Sequence, residues 1–138
     1  VDAIMSRERV ERELSALNDG GLAAAIVPSS VGDCVLYRGV PTRGASRALP
    51  ERTDVLVVIP PGYPASMIDL AGLPAGSPLA AHVAGAQNVQ GQVTADGRDW
   101  SRASYHPHAN GGGPPWDPTS HGFHTYYDHL LAWLARLT

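Results

Sequence analysis

Three observations predict an α+β fold: an apolar stripe of helical period at each end of the chain, a succession of short β-branched runs between them, and connections too short for crossover helices. Val10, Leu14 and Leu17 recur at i, i+4 and i+7, with Ile4 extending the stripe. Phe123, Tyr126, Tyr127, Leu130, Leu131, Leu134 and Leu137 repeat the pattern near the C-terminus, and this spacing puts apolar side chains on one helix face. Strands in direct succession favour an antiparallel meander with helices on one side over alternating βαβ units.

The elements follow in order. The first helix ends at Asn18-Asp19-Gly20-Gly21, residues that tolerate a left-handed cap. Its charged stretch, 7–13, reads as a solvated face with Glu8 and Arg12 as an i,i+4 pair. Strand candidates are 23–27, 34–37, the clear β-branched run 54–59 ended by Pro60-Pro61, and a weaker 67–70. Residues 43–52 read as a basic loop and 72–78 as a Gly/Pro loop, while 80–83 has no usable period. Residues 89–94 and 98–105 flank Ala95-Asp96-Gly97 as a small hairpin around an Asp-Gly turn. A breaker segment, 107–115, holds Gly111-Gly112-Gly113-Pro114-Pro115, which no regular element accommodates. Asp117-Pro118 or Thr119/Ser120 is the expected start of the last helix, because proline leaves no N–H unpaired at the first helical position. With no repeat and no linker, residues 1–138 read as a single domain.

Composition removes several classes of function. Net charge is −3, so there is no basic footprint for nucleic acid or for an anionic membrane surface. No apolar run approaches the ~18 residues that span a bilayer. The charged first turns do not suit a signal peptide. The single cysteine, Cys34, excludes an internal disulfide framework and a multi-cysteine zinc site, and it points to a reducing, cytoplasmic setting.

Histidines are the densest chemical signal. Five of the six lie between 106 and 129: His106, His108, His121, His124 and His129. On a helix, His121, His124 and Asp128 share a face, a donor set suited to zinc or another transition metal. The alternative is a plain helix-surface bond between His124 and Asp128. Cys34 begins an apolar strand and reads as a buried structural thiol. No nucleophile elbow, P-loop or dinucleotide fingerprint is present. Asp69, Asp96, Asp99 and Asp117 form no readable dyad. Trp133 reads as core and Trp116 as an anchor for the Gly/Pro loop; an exposed aromatic contact surface is the alternative.

The ordered set Ile59-Pro60-Pro61-Gly62-Tyr63-Pro64, Gly97-Arg98-Asp99-Trp100-Ser101-Arg102, His106-Pro107, Trp116-Asp117-Pro118 and Thr125-Tyr126-Tyr127-Asp128-His129-Leu130 resembles the ubiquitin-conjugating E2 superfamily. More narrowly, it resembles prokaryotic E2 family E. The resemblance spans roughly 53–137 by motif and the first 52 residues by element order. It implies a UBC-like fold, with an N-terminal helix, an antiparallel meander, a long active-site-type loop and a C-terminal helix. His106-Pro107 resembles the His-Pro of the E2 signature, with His108 next and Asn110 two further on.

One departure governs the function implied. An E2 carries ubiquitin as a thioester on a cysteine after that signature, and no cysteine follows residue 34 here. A thioester needs a thiolate. The resemblance therefore implies a non-catalytic E2-like protein of a bacterial ubiquitin-like system. It would bind a ubiquitin-like protein, an E1-like adenylating enzyme or a JAB-type isopeptidase through a remnant site of His106, His108, Asn110, Trp116 and Asp117, and it needs no cofactor. Two alternatives stand beside it. One is a small metal-dependent hydrolase using His121, His124 and Asp128. The other is an interaction domain whose Gly/Pro loop is ordered by a partner.

Overall fold

The structure is a computed structural model that describes residues 3–86, 89–108 and 113–138. It is α+β: α1 (Ala3–Asp19), β1 (Ala23–Ser29), β2 (Gly32–Pro41), a 3-10 turn (Gly44–Arg47), β3 (Arg52–Val58), β4 (Ala71–Pro74), α2 (Pro78–Ala86), β5 (Val89–Ala95), β6 (Arg98–Ala103) and α3 (Phe123–Leu137). All strand pairings are antiparallel. The first four strands follow one another as expected. The β5–β6 hairpin then inserts so that β6 lies beside β4 and β5 returns to β1, closing a barrel in the order β1-β2-β3-β4-β6-β5.

The barrel has two apolar faces, and the two-residue period of its strands feeds both. Val35 and Tyr37 of β2 and Val55 and Val57 of β3 pack into a main core with Val10 and Leu14 of α1 and Tyr126, Leu130 and Trp133 of α3. The alternate residues Cys34, Leu36 and Leu56 join Val93, Ala95 and Trp100 in a second cluster. Trp100 is fully buried there, and its indole N–H donates to Ala95 O at 3.0 Å. Trp133 is buried as well, so of the three tryptophans only Trp116 is part-exposed.

Several expectations are corrected. The strand expected at 67–70 lies at Ala71–Pro74 instead. Leu70 takes a left-handed conformation, φ 65°, and breaks the extended run before it. Gly72 is a strand residue, not a loop residue. A Cβ there would lie 2.9 Å from Leu56 O, so glycine permits the close approach of β3 and β4. Residues 80–83 belong to α2, which buries Leu79 and Val83 in the main core.

The first and last helices meet at a polar contact. Glu13 belongs to the charged stretch that the sequence assigns to a solvated face, yet it is only 8% exposed. Its Oε1 accepts from Tyr63 O–H at 2.6 Å and from the Phe123 amide at 3.1 Å, and its Oε2 accepts from Arg9 Nε at 2.9 Å. Among the described residues, the α1 pairs are Arg7–Glu11 and Arg9–Glu13, not Glu8–Arg12. The expected start of α3 is also displaced. The helix begins after Gly122, whose N–H donates to Thr125 Oγ1 at 3.0 Å. Asp117 instead organises a turn, accepting from Thr119 N–H at 3.0 Å and from the hydroxyls of Thr119 and Ser120 at 2.7 and 2.8 Å.

Candidate functional site

Residues 104–108 leave β6 and run beside α3. Tyr105 points inward: its ring stacks on Trp133 at 4.8 Å and its hydroxyl donates to His129 O at 2.8 Å. With Tyr105 inside, Ser104 and His106 share the opposite side, as alternate residues of an extended segment do. His106 Nδ1 is 2.8 Å from both carboxylate oxygens of Asp69, and its Nε2 is 2.9 Å from Ser104 Oγ. The backbone holds this group from behind. Leu70 N–H donates to Tyr105 O at 2.8 Å, and Tyr126 O–H donates to Leu70 O at 2.8 Å.

His108 turns the other way and is 8% exposed. Its Nδ1 donates to Pro114 O at 3.0 Å. Nε2 is buried with no hydrogen-bond partner among the described residues. Four rings surround it: His121 at 4.7 Å, Trp116 at 5.0 Å, His129 at 5.0 Å and Tyr126 at 6.2 Å between centroids. Burial pushes the His108 pKa below its ordinary value; the Pro114 carbonyl opposes this, and His129 and His121 add to the depression. Burial, then His121, depresses that of His129 in the same way.

Trp116 anchors the end of the Gly/Pro segment as expected. Its indole N–H donates to Pro64 O at 2.9 Å, and its ring lies 6.1 Å from that of Tyr63. Asp117 is exposed. Hydrogen bonds from Thr119, and then from Ser120, pull its pKa down to about 2. Its amide donates to His121 Nδ1 at 2.9 Å.

The structure thus gathers His108, Trp116, Asp117 and His121, and it sets His106 nearby in a separate group with Asp69 and Ser104. Asn110 lies outside the described residues. From the sequence Asp69 reads as a lone acid with no readable dyad, because it is remote in the chain from His106, and Ser104 carries no signal beyond its two-residue spacing from His106. The expected metal set does not assemble. His121 precedes α3, so the i,i+3 helical geometry with His124 is lost. His124 faces α1, with Nδ1 3.9 Å from Glu13 Oε2, and Asp128 is exposed. Among the described residues, no three His, Cys, Asp or Glu side chains are grouped to hold a metal ion.

A family model described as prokaryotic E2 family E matches residues 10–137. The chain belongs to prokaryotic E2 family E. No curated protein matches it, and no solved structure does. Membership places it among E2-like proteins of bacterial ubiquitin-like systems. This member of family E has one cysteine, Cys34, and it is fully buried. Its thiol donates to Ser29 Oγ at 3.2 Å within the second cluster. Burial pushes its pKa up, against the Ser29 hydrogen bond. Both the raised pKa and the lack of solvent access disfavour a thiolate at this position. Among the described residues, no helix of this family E member is long and apolar enough to cross a membrane.

Proposed function

We propose that the protein has the UBC-like architecture and serves a bacterial ubiquitin-like system as an E2-like component that carries no thioester. Its role is recognition. The residues His106, His108, Trp116 and Asp117, with Asn110 assigned from the sequence alone, hold a ubiquitin-like protein, an E1-like adenylating enzyme or a JAB-type isopeptidase. The setting is cytoplasmic, and no cofactor is required. One observation carries this reading: the only thiol lies sealed between strands, on a different element from the His106-Pro107 segment. Trp116 and His121, half-buried and packed on the buried His108 ring, offer an aromatic and imidazole surface with little conformational freedom to lose on binding. Placement does not favour a metal-dependent hydrolase, since the expected donors diverge.

The test is a charging reaction with a ubiquitin-like protein, its E1-like enzyme and ATP, read by intact mass with and without reductant. The expected result is no reductant-sensitive adduct, together with co-elution of the partner on gel filtration that Trp116→Ala weakens. A reductant-sensitive adduct on Cys34, or no complex with any of the three partner types, overturns the reading.

A further inference from the structure

Asp69, His106 and Ser104 form a hydrogen-bonded line that a pure binding role does not use. A carboxylate only accepts, so the contacts from Asp69 to Nδ1 place the ring proton there in the neutral imidazole. The Nε2 lone pair then faces Ser104 Oγ at 2.9 Å and accepts its proton. A hydroxyl, a base within hydrogen-bond reach and a third group orienting that base are the structural signature of an activated nucleophile.

Two further features suit the assignment. The line is held rigidly: the neighbours of its members, Leu70 and Tyr105, are bonded to each other, and Leu70 has a positive φ of 65° that a branched aliphatic residue rarely adopts. Backbone strain of this kind clusters at functional sites. The line also reaches solvent. The side chains of His106 and Asp69 are 38% and 32% exposed, and Ser104 is half-buried.

We propose that Ser104 is an acyl-accepting nucleophile, with His106 as its general base and Asp69 as a positioning residue, acting on carboxyl thioesters and activated esters. The Ser104 Oγ–acyl carbon bond forms as the hydroxyl proton passes to His106 Nε2. The bond from the acyl carbon to sulfur or oxygen then breaks, and the imidazolium returns the proton to the departing thiolate or alkoxide. Water attacks the acyl-serine next. His106 takes a proton from that water and delivers it to Ser104 Oγ, which releases the carboxylic acid. Water is the sole co-reactant. The step goes beyond the recognition role and does not depend on it, because a small electrophile tests it with no partner protein present.

The experiment treats the full chain with a fluorophosphonate, which forms a Ser–O–P bond and loses fluoride, and reads intact mass and the labelled peptide. The hydrolysis of p-nitrophenyl acetate is followed alongside. One equivalent of label on Ser104 is expected, none in Ser104→Ala, and undiminished labelling in Cys34→Ala. His106→Ala should slow labelling and ester hydrolysis by about a hundredfold or more. Asp69→Asn should slow them by at least about tenfold and change their pH profile, with partial recovery in Asp69→Glu. Near-ultraviolet circular dichroism confirms that each variant is folded. Absence of label on the folded parent protein, label at another residue, or an unchanged rate in folded His106→Ala overturns the proposal. Failure of the charging reaction with partner proteins leaves this result standing, so the two readings fail separately.

Discussion

The Oε1 atom of Glu13 accepts the backbone N–H of Phe123 at 3.1 Å, so the first helix provides the cap of the last across almost the whole chain. A helix N-terminus presents unpaired N–H groups and partial positive charge, and a buried carboxylate satisfies both. The same oxygen receives the Tyr63 hydroxyl, which ties the proline-rich turn after β3 to both helices.

Glu13→Ala should therefore destabilise the fold by about 3 kcal/mol, because it strands a buried hydroxyl and a helix-end amide. Glu13→Gln, which keeps an acceptor oxygen, should cost less. Urea denaturation checks both. An Ala variant as stable as the parent would show that water replaces the carboxylate.

Gly122 is needed for this contact. A Cβ at that position would lie 2.3 Å from Glu13 Oε2. Gly122→Ala should cost about 2 kcal/mol through displacement of the carboxylate. In a Glu13→Ala background the same change should cost much less, because the atom it strikes is gone. Full additivity in the double-mutant cycle would contradict the coupling.

Stability should fall as the solution becomes mildly acidic. Folding lowers the pKa of His108 from 6.5, chiefly by burial, and lowers that of His129 in the same direction. Below the unfolded value the unfolded chain binds more protons than the native one, so this contribution is present above pH 6.5 and is lost as pH drops toward the folded pKa. Melting temperature should decrease from about pH 7.5 to about pH 5.5, and His108→Gln should blunt the decrease. A parent protein with no change over that range would count against the buried imidazole cluster.

The Trp116 indole bond to Pro64 O gives a graded test. Trp116→Phe should lose about 1 kcal/mol for the hydrogen bond, and Trp116→Ala about 3 kcal/mol with the ring contacts gone as well. Chemical denaturation reads both. Equal losses would mean that the ring contributes nothing beyond its N–H.

The parts legible in the sequence were those with a strong local period. Leu130 and Leu134 announced α3, and Asp96-Gly97 announced the β5–β6 hairpin. Other elements were hidden because tertiary contacts define them. Gly72 looks like a loop residue until Leu56 O is seen against it. Leu79 and Val83 are too few in an alanine-rich run to reveal α2. Glu13 looked like one more surface charge in a charged stretch, because its partners, Tyr63 and Phe123, are distant in sequence. The site was half legible for the same reason. His106, His108 and Trp116 stand out by type, whereas pairing Asp69 with His106 needs β4 laid beside β6.

The barrel closes through two short seams. β1 and β5 share the single register pair Ser29–Ala95, and β3 and β4 share Leu56–Gly72. Between the seams lie two three-stranded ladders, β1-β2-β3 and β4-β6-β5, like the leaves of a clam. Cys34 on one leaf and Trp100 on the other lie in the same buried cluster. Opening of either seam would wet that cluster without unwinding a helix, so the reaction of the Cys34 thiol with a slow alkylating agent becomes a clock for the breathing of the shell.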